Sequence, residues 1–254
     1  MTEPDSRIRQ AVKFFWQTRS QQDLMQGTKS GVKDAGQRRA VTGGHQMDGF
    51  VDICRDILIA NGVSSADVHS KKSQELPGFF RPEKRWDLVA ASAGNIIAAI
   101  EFKSQVGSFG NNCNNRAEEA IGTAYDLLTA YEQGAFAPAP APWTGFVMVL
   151  EDCEESRRPV SVKEPHFKVF EEFRGASYAK RYEELLLRFL RRRLYDGACL
   201  LLSSKESGAK GTYSEPCEEL AFARFESSLR AKAISSCPPL PTPPPSLRRR
   251  SAKK

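Results

Sequence analysis

The stretch Ile96-Ile97-Ala98-Ala99-Ile100-Glu101-Phe102-Lys103 limits what this chain can fold into more than any other. Its apolar, partly β-branched start marks a short strand. Strand side chains alternate between faces, so Glu101 and Lys103 project together while Ile100 and Phe102 turn the other way into apolar packing. An acid and a base therefore finish an otherwise apolar strand. The end of a strand in an open sheet is where such a fold presents chemistry to a ligand.

Just upstream, DLVAAS (87–92) and NIIAAIEFK (95–103) are two β-compatible runs around Ala93-Gly94-Asn95, a hairpin signal. The turn decides where Asp87 lies. A two-residue turn at Gly94-Asn95 would set Asp87 opposite Phe102, on the wrong face. A three-residue turn, Ala93-Gly94-Asn95, sets it opposite Glu101, and Gly94 or Asn95 can take the positive φ such a loop requires. Opposed residues have Cβ atoms about 4.5–5.5 Å apart, so in the second register Asp87 and Glu101 can share one hard divalent cation such as Mg²⁺. The plainer alternative is a solvated strand end beside a turn aspartate, because the pattern Asp-x₁₃-Glu-x-Lys is short.

Apolar periodicity predicts helices over about Asp5–Ser20 and Gln46–Ala60, the second closed by Asn61-Gly62. Residues 27–44 have no apolar face and read as a loop or a lid. A helix from about Arg116 to Glu132 should follow the hairpin, then a buried strand over Gly145–Leu150. A long basic loop, a helix near Tyr178–Leu194, a strand at Ala198–Ser203 and a helix near Glu215–Lys232 complete the order. Such an order suits an α/β fold, a mixed central sheet flanked by helices. Residues 1–235 are expected to form one domain. The tail 236–254, rich in proline and arginine, is expected to be disordered, a dispensable extension before it is a docking peptide or an arm on DNA phosphates.

The charge of +6 identifies no partner by itself. Of 37 Lys and Arg against 31 Asp and Glu, five lie in the last eighteen residues, which leaves 32 for a nearly neutral body. The six cysteines are scattered without Cys-x-x-Cys pairs, as reduced thiols are. Neither a secretory signal nor a membrane span is visible, so a cytoplasmic location with no membrane role is expected.

Asp87 followed by Glu101-Phe102-Lys103 resembles the signature of the PD-(D/E)XK nuclease superfamily, with Trp86 in place of the proline. The text GQRRAVTGGHQMDGFVDICRDILIANG, ELPGFFRPEKRWDLVA and AAIEFKSQVGSFGNNCNNRAEEAIGTAYDLL resembles the XhoI family of type II restriction endonucleases, over about Ile8 to Lys232. The resemblance implies a homodimeric, Mg²⁺-dependent endonuclease of restriction-endonuclease-like fold. It would cut double-stranded DNA at CTCGAG after the first C, leaving 5′ overhangs, beside a cognate methyltransferase that protects the host's own sites. Asp87, Glu101 and the Phe102 carbonyl would hold the metal, and Lys103 would orient the attacking water. Competing readings are a repair or recombination nuclease without a fixed sequence, and a catalytically silent DNA-binding protein.

Asp48 and Asp52, one turn apart on the second predicted helix, are candidates for an extra carboxylate, although exposed helical acids are the better account of them. Candidate DNA contacts are Ser108, Asn112, Asn115 and Arg116, directly after the catalytic strand, where one asparagine is expected to cap the next helix. Arg157, Arg158 and Lys168 in the basic loop form a second set. Arg181, Arg188, Arg191 and Arg192 read as solvated or phosphate-facing.

Overall fold

The computed structural model describes residues 3–27 and 45–236. The expected lid at 27–44, apart from Gly27, and the tail from residue 237 onward lie outside the described residues. The first helix, α1 (Glu3–Gly27), extends beyond the predicted span at both ends. α2 (Asp48–Ala60) buries Phe50, Val51, Ile53, Cys54, Ile57 and Leu58 along one stripe and ends at Asn61, with Gly62 at φ 103°. This is the closure that the Asn-Gly pair indicates.

Among the described residues, seven strands follow in two sheets: β1 (Val68–His69), β2 (Glu75–Pro77), β3 (Glu83–Arg85), β4 (Leu88–Ser92), β5 (Asn95–Gln105), β6 (Trp143–Glu151) and β7 (Gly197–Ser203). The central sheet has the order β1-β4-β5-β6-β7 and is mixed. β1, β4 and β5 pair antiparallel, whereas β5, β6 and β7 run parallel. β2 and β3 form a separate two-stranded hairpin that periodicity does not reveal, since each strand is only three residues long.

Helices cover both faces. One face carries Ala98, Ile100 and Phe102 of β5 with Val147 and Val149 of β6, packed on α1, α2 and the last helix, α7 (Phe222–Ser236). The opposite face carries Ala99 of β5 with Phe146, Met148 and Leu150 of β6. These pack on α3 (Phe109–Glu132) and α5 (Tyr178–Arg191). β6 is buried from Trp143 to Leu150, as a parallel strand between two layers must be. Two four-residue helices, α4 (Glu154–Arg157) and α6 (Lys205–Gly208), complete the set.

The hairpin register is the one that places Asp87 beside Glu101, but the turn that produces it differs from the expected one. Ser92 pairs with Asn95, so the loop is the two residues Ala93-Gly94, at φ 50° and 79°. Positive φ at both positions is the requirement of a type I′ turn. A bulge then shifts the register between Ala90 and Ala91, so that Leu88 pairs with Ile100 and the next step brings Asp87 level with Glu101. Ile97 and Ala98 consequently face the same core, the signature of an inserted residue.

Four other expectations change. The helix predicted from Arg116 begins at Phe109, because Phe109 and Cys113, one turn apart, are both buried and extend the apolar stripe backwards. No asparagine caps it; Ser108, left-handed at φ 46°, precedes it. The basic loop contains α4 and a single turn at Glu171–Phe173. The last helix starts seven residues late, after a turn at Glu218–Leu220, with Glu215 accepting the Phe222 amide at 2.8 Å.

Candidate active site

Glu101 is 3% exposed, on the α3 side of the sheet. One carboxylate oxygen accepts from the Lys103 ammonium, two residues along the same strand. The other accepts from Lys84 Nζ at 3.1 Å, delivered by β3. Asp87, half-buried just before β4, turns Oδ2 onto the Phe102 N–H at 2.8 Å. The main chain at Trp86 and Asp87 is fixed by buried Gln74, whose Nε2 donates to both carbonyls at 2.9 and 2.6 Å. Trp86 itself is 1% exposed and packs in the core of the α3 face, with the Lys84 ammonium 5.5 Å from its ring centre.

Burial, followed by the charge of Glu101, pushes the Asp87 carboxyl up to about 6, against the pull of Lys103, the Phe102 amide and Lys84. Burial alone would lower the Lys103 ammonium, but Glu101 and Asp87 outweigh it and hold its pKa above the ordinary lysine value. Two like charges in a half-buried setting are relieved by a dication. Among the described residues no group of three or more His, Cys, Asp or Glu could hold a metal. A metal here would rest on two carboxylates and on backbone or solvent oxygens, the donor set of a hard cation that keeps several waters, as Mg²⁺ does. The residues present fit such an ion.

A cavity of about 480 Å³ opens between this cluster and α3, lined by Glu101, Lys103, Lys84, Arg81, Phe80 and Tyr125, among others. A carboxylate flanked by two ammoniums in such a cleft, with Asp87 beside it just before the adjoining strand, suits phosphoryl chemistry.

The comparisons with known proteins point the same way. The family described as Restriction endonuclease XhoI matches residues 26–215. The type II restriction enzyme BstVI of Geobacillus stearothermophilus is 47% identical over 203 residues, 78% of this chain and 91% of that protein. The type II restriction enzyme XhoI of Xanthomonas vasicola is 44% identical over 188 residues, 73% and 75% of the two chains. AbrI of Azospirillum brasilense, also a type II restriction enzyme, is 46% identical over 166 residues, 65% and 74%. The chain belongs to the XhoI restriction endonuclease family. No solved structure matches it. As a member of the XhoI family it is a site-specific deoxyribonuclease, and its substrate is double-stranded DNA.

The structure sorts the other candidate residues of this restriction endonuclease. Arg116 lies close enough to Lys103 to oppose its protonation. It pairs with Glu119 at 2.9 Å, and its Nε is buried without a partner. Ser108, Asn112 and Asn115 lie at the start of α3, where the Asn112 amide donates to the Ser108 carbonyl at 3.2 Å. Arg157 and Arg158 follow the end of β6, which runs parallel to β5, and the Gly107 amide bonds Glu151 at 2.9 Å, so the two segments share one end of the sheet. Arg157 is clamped by Asp152 at 2.6 and 3.0 Å, whereas Arg158 and Lys168 are exposed.

Arg181 and Arg188 prove to be braces. Arg181 donates to the Ala176 and Val160 carbonyls, both at 3.2 Å, and Arg188 lies 4.7 Å from the Phe173 ring centre. Asp48 and Asp52 sit on α2, whose apolar stripe packs on the far face of the sheet from Glu101, and Asp48 pairs with His45 at 2.9 Å. No hydrogen bond or ion pair among the described residues joins either acid to Asp87, Glu101 or Lys103. Sequence reasoning missed Lys84. Its only signal is the run Lys84-Arg85-Trp86 directly before Asp87.

Proposed function

We propose that this chain is a homodimeric, Mg²⁺-dependent type II restriction endonuclease that cuts CTCGAG after the first C to leave 5′ overhangs. Residues 1–235 form its catalytic domain, and a methyltransferase protects the host's copies of the site. The observation that supports the reading is the convergence of Asp87, Glu101 and Lys103 at one rim of the sheet, with Glu101 and Lys103 lining an open cavity. A palindromic target calls for two-fold symmetry, one subunit for each strand.

Asp87, Glu101 and the Phe102 carbonyl would hold the divalent ion. When bound, the ion stabilises the charge that develops on the scissile phosphate and acidifies a neighbouring water. Lys103 donates a hydrogen bond that aims the attacking water in line with the bond to the 3′ oxygen. Its charge, with that of Lys84, offsets the extra negative charge of the pentacoordinate phosphate. The products are a 5′-phosphate and a 3′-hydroxyl. Asn112, Asn115, Ser108, Arg116, Arg157, Arg158 and Lys168 contact the DNA, the amides and guanidiniums offering the paired donors and acceptors that base edges require.

Digestion of a sequenced plasmid in Mg²⁺ and in EDTA, with the fragment ends mapped, tests this reading. Discrete fragments ending in TCGA overhangs and abolished by EDTA are expected. A smear, ends at unrelated sequences, or no cutting refutes it.

A further inference from the structure

We propose that the tip of the β2–β3 hairpin and the facing turn of α3 form a DNA-gripping surface, on which the exposed rings of Phe80 and Tyr125 take the sugar and base next to the phosphate being cut. This rests on the reading of Asp87, Glu101 and Lys103 as the cleavage site.

Phe80 is 64% exposed and Tyr125, on α3, is 54% exposed. Their rings stack at 5.9 Å and 14°, and Phe79 meets Phe80 edge-on at 5.0 Å. Rings displayed in this way keep apolar area in water, and a contiguous patch of that kind marks a contact surface. The display is rigid. Asp126, 3% exposed, accepts from the Phe79 and Phe80 amides, both at 2.8 Å, and from Arg81 Nε at 2.7 Å. Gly78 permits the approach, since a Cβ there would lie 2.4 Å from the Asp126 carboxylate. A buried carboxylate bonded to two backbone amides and an exposed arginine thus holds outward-facing aromatics in place, and a preformed surface loses little entropy when a ligand arrives.

Continuity with the cleavage site identifies the occupant. Phe80 and Tyr125 line the same cavity as Glu101 and Lys103, with Arg81 and Lys84 beside them. A strand whose phosphate reaches Glu101 must run its adjoining sugar past these rings. Aromatic faces set among cations match the alternation of base or sugar and phosphate. A second copy of the chain fits worse. It would bury lysine and arginine, and it would cap the cavity and bar DNA from Glu101.

The test measures binding of the full chain, in Ca²⁺, to a labelled duplex carrying the site mapped in the digest, across a salt series and alongside sedimentation velocity. Phe80→Ala and Tyr125→Ala should each weaken binding about 5- to 150-fold. The salt slope should not change, because no phosphate contact is lost. Phe80→Trp should recover most of the affinity, and sedimentation should match the parent throughout. Parental affinity in both alanine variants overturns the proposal, and so does a shallower salt slope, which would mean that the rings only position cations. A shift from dimer to monomer in Phe80→Ala assigns the surface to self-association and also overturns it. Cleavage by Lys103→Ala separates the two levels. A dead Lys103→Ala with ring variants that bind like the parent refutes the aromatic contact alone, whereas parental cutting by Lys103→Ala removes the cleavage site on which both rest.

Discussion

Replacing Asp87 with asparagine should make the metal-free protein more stable while destroying its activity. Burial and the Glu101 charge raise the Asp87 carboxyl from 3.8 to about 6, so the native state binds this proton more tightly than the unfolded chain does. The stabilising contribution is therefore complete below pH about 4 and is lost as pH rises through about 6. At pH 8 the ionised native form carries a penalty of about 3 kcal/mol, which solvent at this half-buried site reduces to about 1–3 kcal/mol. Asparagine keeps an oxygen for the Phe102 amide and removes the charge. In EDTA at pH 8, Asp87→Asn should melt about 2–10 °C above the parent, with the gap closing as pH falls to about 4. Mg²⁺ should raise the melting temperature of the parent and leave the variant unmoved. Calorimetry over pH 4–8 provides the check. A variant no more stable than the parent at pH 8, or a gap that does not depend on pH, refutes the electrostatic argument.

Lys84→Met should slow cleavage by about tenfold or more and reduce the salt slope of DNA binding by about one, leaving the melting temperature within about 2 °C; single-turnover rates and a salt titration measure this. Asp126→Ala leaves two amides and Arg81 without their acceptor, so denaturant unfolding should show a loss of about 1–3 kcal/mol. DNA affinity should fall together with that of Phe80→Ala.

The proximity of Asp87, Glu101 and Lys103 was legible because its geometry is local. Alternation along β5 puts Glu101 and Lys103 on one face, and a short hairpin carries Asp87 back to them. The bulge that sets the register was not legible, because a positive φ at Ala93 and an inserted residue at Ile97 are choices made by the packed sheet. The early start of α3 was missed for a similar reason. Asparagines are weak helix formers, and only burial of Phe109 and Cys113 against the sheet overrides them. Lys84 and Phe80 reach the site through contacts 17 to 46 residues apart in sequence, to Glu101 on β5 and to Asp126 on α3, from a hairpin whose strands are too short for any period to mark.

Single-turnover cleavage of a duplex containing CTCGAG by Glu101→Gln and Lys103→Ala in Mg²⁺, with affinity measured in parallel in Ca²⁺, tests the assignment most directly. Rates at least about a hundredfold below the parent, at affinities within a few-fold of it, are the expected result. Cutting at the parental rate by either variant would contradict the account.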